Sequence, residues 1–297
     1  MIHHPRRLLL YCLTAVVPAT GMLAATAATA SAQAATAATA QPSVPVQTDS
    51  VQAEALAKSA IQGLSIGQHP LNHPTGVSRP GSVKGLTDVQ STNWSGYADT
   101  GSSFSKISAS WTEPSATCSG SATQLAAFWV GIDGYTSSSV EQDGTIIECY
   151  QGTAYQYTWW EMYPTNSVQV VGGTLAAGDA ITSTVTRSGT TYTLSVTDST
   201  HTADSFTETE TCSSCANTSA EWIAEAPSSS SSVYPLANFG SWTASSASVT
   251  EGSTSGVISS FTDDEITMVD SSGQTKALPG SLNSSGNSFP VTWERSS

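Results

Sequence analysis

Histidine is almost missing where the chain would fold: of five in the 297 residues, only His201 lies beyond residue 85, in the polar stretch "DSTHTADS". A Ser-His-Asp triad would have to use it, and no Gly-x-Ser-x-Gly elbow accompanies it, so histidine-dependent hydrolysis is a poor fit. A zinc hydrolase fails for the same shortage of ligands. Basic residues are scarce as well. Residues 85–297 hold four Lys/Arg against twenty-one Asp/Glu, which leaves no basic patch for phosphates and excludes nucleic acid as a partner. Long apolar runs are absent too. The one stretch that approaches a membrane span, Leu8 to about Leu23, is broken by Pro18, Thr20 and Gly21 and falls short of about 20 apolar residues.

What the first 32 residues do contain is a basic start at Arg6 and Arg7, an apolar middle and a small-residue exit at Ala30-Ser31-Ala32. That pattern predicts a secretory signal peptide over 1–32 and an exported, extracellular protein. Residues 33–88 are rich in Ala, Thr, Gln and Pro, with one short helix predicted around Thr48–Leu64, and read as a propeptide or linker. All eight tryptophans lie beyond residue 90, so a single domain is placed at 89–297. Its acidity gives either a solvated surface or a protein adapted to low pH, where protonation relieves the repulsion. Four cysteines remain after the signal peptide, and three pairings are open. Cys118–Cys149 with Cys212–Cys215 is preferred, since a Cys-x-x-Cys in a loop can close on itself. A thioredoxin-like role would need a βαβ context that the sequence does not offer.

Period-two alternation dominates beyond residue 85. Gly178–Asp198 reads as a hairpin turning at Ser188-Gly189, and "KISASWTEP", "TSGVISSFTDDEITMVD" and "FPVTWE" add short strands, which together predict an all-β sandwich or barrel. In "TAYQYTWWEMYP" (Thr153–Pro164), Tyr155, Tyr157, Trp159, Glu161 and Tyr163 share one face. In "SAEWIAEAP" (Ser219–Pro227), Ala220, Trp222, Ala224 and Ala226 suit the core, so Glu221, Ile223 and Glu225 point the other way. Burial on a concave face would raise such carboxyl pKa values and equip them for acid–base work.

Asp99 in "ADTGSS" raises the aspartic-peptidase reading. Those enzymes join two Asp-Thr/Ser-Gly loops, and no second copy exists here: "DSSG" at Asp270 has the wrong spacing and "DGT" at Asp143 the wrong order. The stretch "SGYADTGSS" is instead expected to be a hairpin turn after a strand.

Five motifs in order, "NWSGY" (Asn93–Tyr97), "FWVGIDG" (Phe128–Gly134), "VEQDG" (Val140–Gly144), "WWEMYP" (Trp159–Pro164) and "AEWIAEAP" (Ala220–Pro227), resemble the glutamic peptidases, the eqolisin family. The resemblance implies a sandwich of two bent antiparallel sheets with a peptide groove on the concave side. It also implies a pepstatin-insensitive acid endopeptidase with a Gln/Glu dyad, which matches to Gln142 and Glu221. Trp94, Trp129, Asp133, Glu161 and Tyr163 match positions that line or support the family's groove. Glu225 and Glu141 are near neighbours of the dyad. The implied partners are protein or peptide substrates and the chain's own propeptide, with no cofactor or metal and a monomeric state. A jelly-roll glycosidase using Glu161 with Glu221, and a carbohydrate-binding sandwich using only the aromatics, are the competing classes.

Overall fold

The computed structural model describes residues 47–62, 64, 66 and 87–297 apart from 174, 230 and 231; the predicted signal peptide lies outside them. A helix α1 (Gln47–Ile61) precedes the strands β1 (Thr87–Ser91), β2 (Trp94–Thr100), β3 (Phe104–Thr112), β4 (Gln124–Ile132), β5 (Val140–Tyr150), β6 (Thr153–Tyr163), β7 (Asn166–Val171), β8 (Ala180–Ser188) and β9 (Thr191–Asp198). Then follow β10 (Phe206–Thr211), β11 (Ser219–Glu225), β12 (Ser241–Glu251), β13 (Thr254–Gly256), β14 (Thr262–Val269), β15 (Thr275–Pro279) and β16 (Phe289–Trp293). The predicted helix and the hairpin at 178–198 are both present.

Hydrogen bonding runs in one path, β10-β9-β8-β3-β12-β16-β15-β14-β2-β11-β4-β5-β6-β7, with β1 parallel to β14 and β13 beside β12. The path doubles over at β12. Ser241–Ala244 pairs with β16, while Ser245–Glu251 pairs with β3 after a register shift between Ser245 and Ser248. A bulge of this kind bends and twists a strand, and here it passes the chain from a larger layer to a smaller one (β10, β9, β8, β3). The expected hairpin after Asp99 does not form. β2 pairs with β11 and β14, and β3 with β8 and β12, so Gly101–Ser103 carries the chain between layers.

Between the layers lies an apolar core in which alternate residues of each strand meet: Phe128, Val130, Trp160, Trp222 and Ala224 from the larger layer, Ile107, Trp111, Val185, Tyr192 and Leu194 from the smaller, and Trp242 from β12. Phe128 stacks on Trp242 at 5.4 Å, and Trp111 meets Trp242 edge-on at 5.7 Å, the geometries that aromatic quadrupoles favour. Each fully buried Trp contributes at most about 4–6 kcal/mol of apolar transfer free energy. Buried carboxyls interrupt this apolar layer, and one of them bridges it. Asp143 accepts hydrogen bonds from the Ser183 hydroxyl and, at 2.7 Å, from the Ser195 backbone N–H, tying β5 to β8 and β9. Disulfides Cys118–Cys149 and Cys212–Cys215 are both formed; the first closes a loop of 31 residues, for which chain entropy gives about 3–4 kcal/mol.

The other face of the larger layer carries a second buried cluster: Trp94, Ala127, Trp129, Ile146, Tyr157, Trp159 and Ile223, completed by Ile61, Leu64 and Ile66 from the upstream segment. The Tyr157 hydroxyl donates to the carbonyl of Glu54, and Lys58 Nζ to that of Gly172. The upstream segment therefore packs against the outer face.

Candidate active site

Residues directly opposed in an antiparallel pair project to the same face. Reading the register across the larger layer, Glu161 of β6 opposes Gln142 of β5, Gln142 opposes Gly131 of β4, and Gly131 opposes Glu221 of β11. The row continues through Ala98 of β2 to Asp264 of β14. Two strand spacings put the backbones of Gln142 and Glu221 about 10 Å apart, with a glycine between them. That glycine makes the gap. A Cβ at Gly131 would stand 3.1 Å from Gln142 Cβ and 3.0 Å from the Trp129 ring.

The next row reads Trp159, Gly144, Trp129, Ile223, Gly96, Ile266. Its indoles lie beside glycines, and the Trp94 and Trp129 rings meet edge-on at 5.0 Å. The row after that places Glu225 beside Trp94 and Ala127. An aromatic floor thus adjoins one polar row that holds three carboxyls, Glu161, Glu221 and Asp264, and an amide.

The amide of Gln142 is fixed at both of its hydrogens. Nε2 donates to Glu161 Oε2 at 2.8 Å and to the backbone carbonyl of Ile66 at 2.7 Å. Glu161 is 1% exposed. Burial pushes its carboxyl well above the usual range and the neighbouring Glu225 adds to this, while the Gln142 amide and the Ile66 N–H oppose it. Glu221 is completely buried, and desolvation raises it well above the ordinary carboxyl value. Neither of its oxygens makes a hydrogen bond of normal length; the Ser219 hydroxyl and the Tyr135 N–H oppose the rise, and the charges of Asp133 and Glu141 reinforce it.

The two near neighbours are placed differently. Glu225 accepts from Asn93 Nδ2 at 3.2 Å and from Trp129 Nε1 at 3.0 Å, so its carboxyl organises the floor. Glu141 is on the inner face with Asp133 beside it, and burial plus that charge push it up to about 9.

Of the residues matched to the groove, Trp94 and Trp129 are completely buried in its floor and Glu161 grips Gln142. Asp133, at φ 70° in the turn after β4, accepts from the backbone N–H groups of Asn217 at 2.7 Å and Thr218 at 2.9 Å. It thereby holds the approach to β11. Tyr163 ends β6 opposite Val140, half-buried, on the Glu161 side of the strand. Sequence reasoning missed Asn93, Tyr135, Asp264 and Glu148. Tyr135 directly follows "GIDG", and its hydroxyl donates to Asp264 Oδ2 at 2.8 Å. Asp264 itself belongs to no motif. Glu148 lies three rows from the dyad, buried, without a hydrogen-bond partner among the described residues, and burial raises it to about 7.

Asp99 faces the other way. It lies inside β2, between Ala98 of the outer cluster and the turn, opposite Asp263. Burial and the charges of Asp263, Glu251 and Asp264 raise it to about 9. It shares neither a face nor a hydrogen bond with Gln142 or Glu221.

Two groups among the described residues have metal-ligand spacing: Glu141 with Cys212 and Cys215, and Asp179 with Asp198 and His201. The cysteines are bonded to each other, and His201 Nδ1 pairs with Asp179 at 2.9 Å. Neither group includes a residue of the polar row. No helix among the described residues is long and apolar enough to cross a membrane.

Residues 92–293 match the model of the Peptidase A4 family. Aspergillopepsin-2 of Aspergillus niger is 30% identical, over 58% of this chain and 72% of its own. Scytalidopepsin B of Scytalidium lignicola is 35% identical over 45% of this chain, and the match spans about half of it, 51%. Among solved structures, scytalido-glutamic peptidase with a peptide-based transition state analog superposes with a TM-score of 0.58 at 25% identity, covering 68% of this chain and 98% of that one. Aspergilloglutamic peptidase from Aspergillus niger gives 0.50 at 30% identity, over 58% and 99%.

Proposed function

Because this chain belongs to the Peptidase A4 family and is a glutamic peptidase, we propose that it is a secreted acid endopeptidase in which Glu221 and Gln142 hydrolyse peptide bonds with a directly attacking water. The observation that carries this reading is the Gln142 amide, clamped by Glu161 and donating to a peptide carbonyl, that of Ile66.

Gln142 is the oxyanion donor. An amide keeps one protonation state throughout acidic pH, where a second carboxyl would not, and a donor of this kind is worth about 10²–10³ in rate. Its side-chain direction costs nothing at the moment of reaction, because Glu161 already fixes it. Glu221, across the Gly131 gap, takes a proton from water as the water attacks and returns it to the departing nitrogen, a contribution of about 10²–10⁴. Base action needs the ionised form. Burial raises the Glu221 carboxyl by desolvation, and water entering with a substrate lowers that penalty. The aromatic floor and Glu225 bind an extended peptide, consistent with the peptide-based analog bound to scytalido-glutamic peptidase. Residues 33–88 act as the propeptide, and the mature enzyme works outside the cell as a monomer without cofactor.

The glycosidase reading is not favoured: the family is one of peptidases, and Glu161, which it would pair with Glu221, is bonded to the Gln142 amide. Incubation with a denatured protein and with a polysaccharide at about pH 3–4 tests the proposal. Release of peptides alone is expected, and release of sugar without peptides would reject it.

A further inference from the structure

Ile66 meets the site as a substrate residue would. Its carbonyl accepts the Gln142 amide hydrogen at 2.7 Å, and its backbone N–H is directed to the Glu161 carboxyl, where it favours the charged form. Both polar groups of one peptide residue are therefore satisfied by the polar row. The side chain is completely buried and joins the cluster that contains Trp94, Trp129, Trp159 and Ile223, with Leu64 and Ile61 further back in the same cluster. Upstream, Tyr157 and Gly172 bond Glu54 and Lys58, so the helix fixes how far along the face the chain extends.

A carbonyl held by the oxyanion donor is the carbonyl placed for attack. Resting on the peptidase reading above, we infer that the chain presents its own Ile66 carbonyl to Gln142 for attack, and that the peptide bond following Ile66 is its first processing site. The same contact assigns a preference for a large aliphatic residue on the carbonyl side of the cleaved bond. In the step, the water oxygen bonds to the Ile66 carbonyl carbon and the C–N bond to Gly67 breaks. One water proton passes through Glu221 to the Gly67 nitrogen, leaving a carboxyl at Ile66 and an amine at Gly67. This cut lies upstream of the region where the domain's first strand begins, at Thr87, so trimming to the domain boundary follows it.

The full chain, purified near neutral pH and then acidified to about pH 3.5, is followed by intact mass and N-terminal sequencing, with denatured casein added to a parallel sample. The expected first products are a fragment ending at Ile66 and a chain beginning at Gly67. Ile66→Asp should slow their appearance at least about 10-fold, whereas Gln52→Ala, on the exposed side of α1, should not. A synthetic peptide of residues 60–72 should be cut at the same bond by enzyme that has lost its upstream segment. Casein digestion with a first cut elsewhere, or with the 66–67 bond intact in both chain and peptide, would overturn the inference and leave the peptidase reading standing. A stable fold with neither casein nor chain cut would instead bring down the peptidase reading.

Discussion

The two faces of the larger layer are equally dry and equally aromatic, yet they are built for different ends. On the inner face, the one carboxyl on β5 that reaches across, Asp143, has its hydrogen bonds made by Ser183 and Ser195 of the opposite layer. On the outer face, Glu161 and Gln142 bond each other and a single backbone residue of the upstream segment, while Glu148 and Glu221 have no hydrogen bond of normal length among the described residues. Neither burial nor unpaired carboxyls tell the faces apart, since Asp99 and Glu141 inside also lack hydrogen-bond partners among the described residues. What does is that the Gln142–Glu161 pair of the outer face is completed by a backbone residue of the upstream segment, a chain that can be exchanged, whereas Asp143 is completed by permanent neighbours in the opposite layer.

Substitutions on the two faces should divide accordingly. Gln142→Ala is expected to cost at least about 10² in kcat with the melting temperature within a few degrees of wild type; comparable losses in both would erase the contrast. Asp143→Ala leaves the Ser183 hydroxyl and Ser195 N–H buried and unpaired, which costs about 1–3 kcal/mol or several degrees of melting temperature. Activity per folded molecule should change far less. Gly131→Ala presses a methyl against Gln142 and the Trp129 ring, whose atoms must give by a few tenths of an ångström. A loss of about 10-fold in kcat/KM is expected in a peptide assay, and unchanged kinetics would show that the gap between Gln142 and Glu221 is wider than the register implies.

The smallest activity effect is expected at Asp99, on the inner face. Its folded pKa of about 9 is above its unfolded value, as are those of Glu113 at about 8, Glu148 at about 7 and Glu141 at about 9. Each binds its proton more tightly when folded. The associated stability is complete below the unfolded values near 4 and is lost as pH rises through about 7–9. Asp270, lowered to about 2 by its Ser272 and Gln274 bonds, acts oppositely, losing stability as pH falls toward 2. Thermal melts should therefore peak near pH 3–4 and fall toward neutrality. Asp99→Asn should raise the melting temperature at pH 7 and change it little at pH 3.5; a melting temperature that climbs to pH 7 in the wild type would contradict the sign.

Much of the site was legible because alternation along a single strand fixes which side chains share a face. That rule sets Glu161 with Trp159, and Glu221 with Glu225, and the structure keeps both groupings. It cannot reveal which residues stand opposite one another on different strands. The role of Gly131 as the gap depends on β4 lying between β5 and β11, a pairing made across some ninety residues of sequence. Asp264 escaped for the same reason. The turn after Asp99 was misread because a turn motif looks alike whether its flanking strands pair together or enter separate layers. Ile66 was illegible because two aliphatic residues, Leu64 and Ile66, in a run of Gly, Ser, His and Pro carry no periodic signal.

The central claim is that the polar row of the outer face carries the chemistry and that Glu221 is its proton carrier. Glu221→Gln keeps shape and removes the titrating group. Hydrolysis of denatured protein at about pH 3.5, in the presence of pepstatin, compared between wild type, Glu221→Gln and Asp99→Asn, tests it most directly. Near wild-type turnover in Asp99→Asn and a loss of at least about 10² in Glu221→Gln, with both variants folded, is the predicted result; full activity in Glu221→Gln, or loss in Asp99→Asn together with inhibition of the wild type by pepstatin, would contradict it.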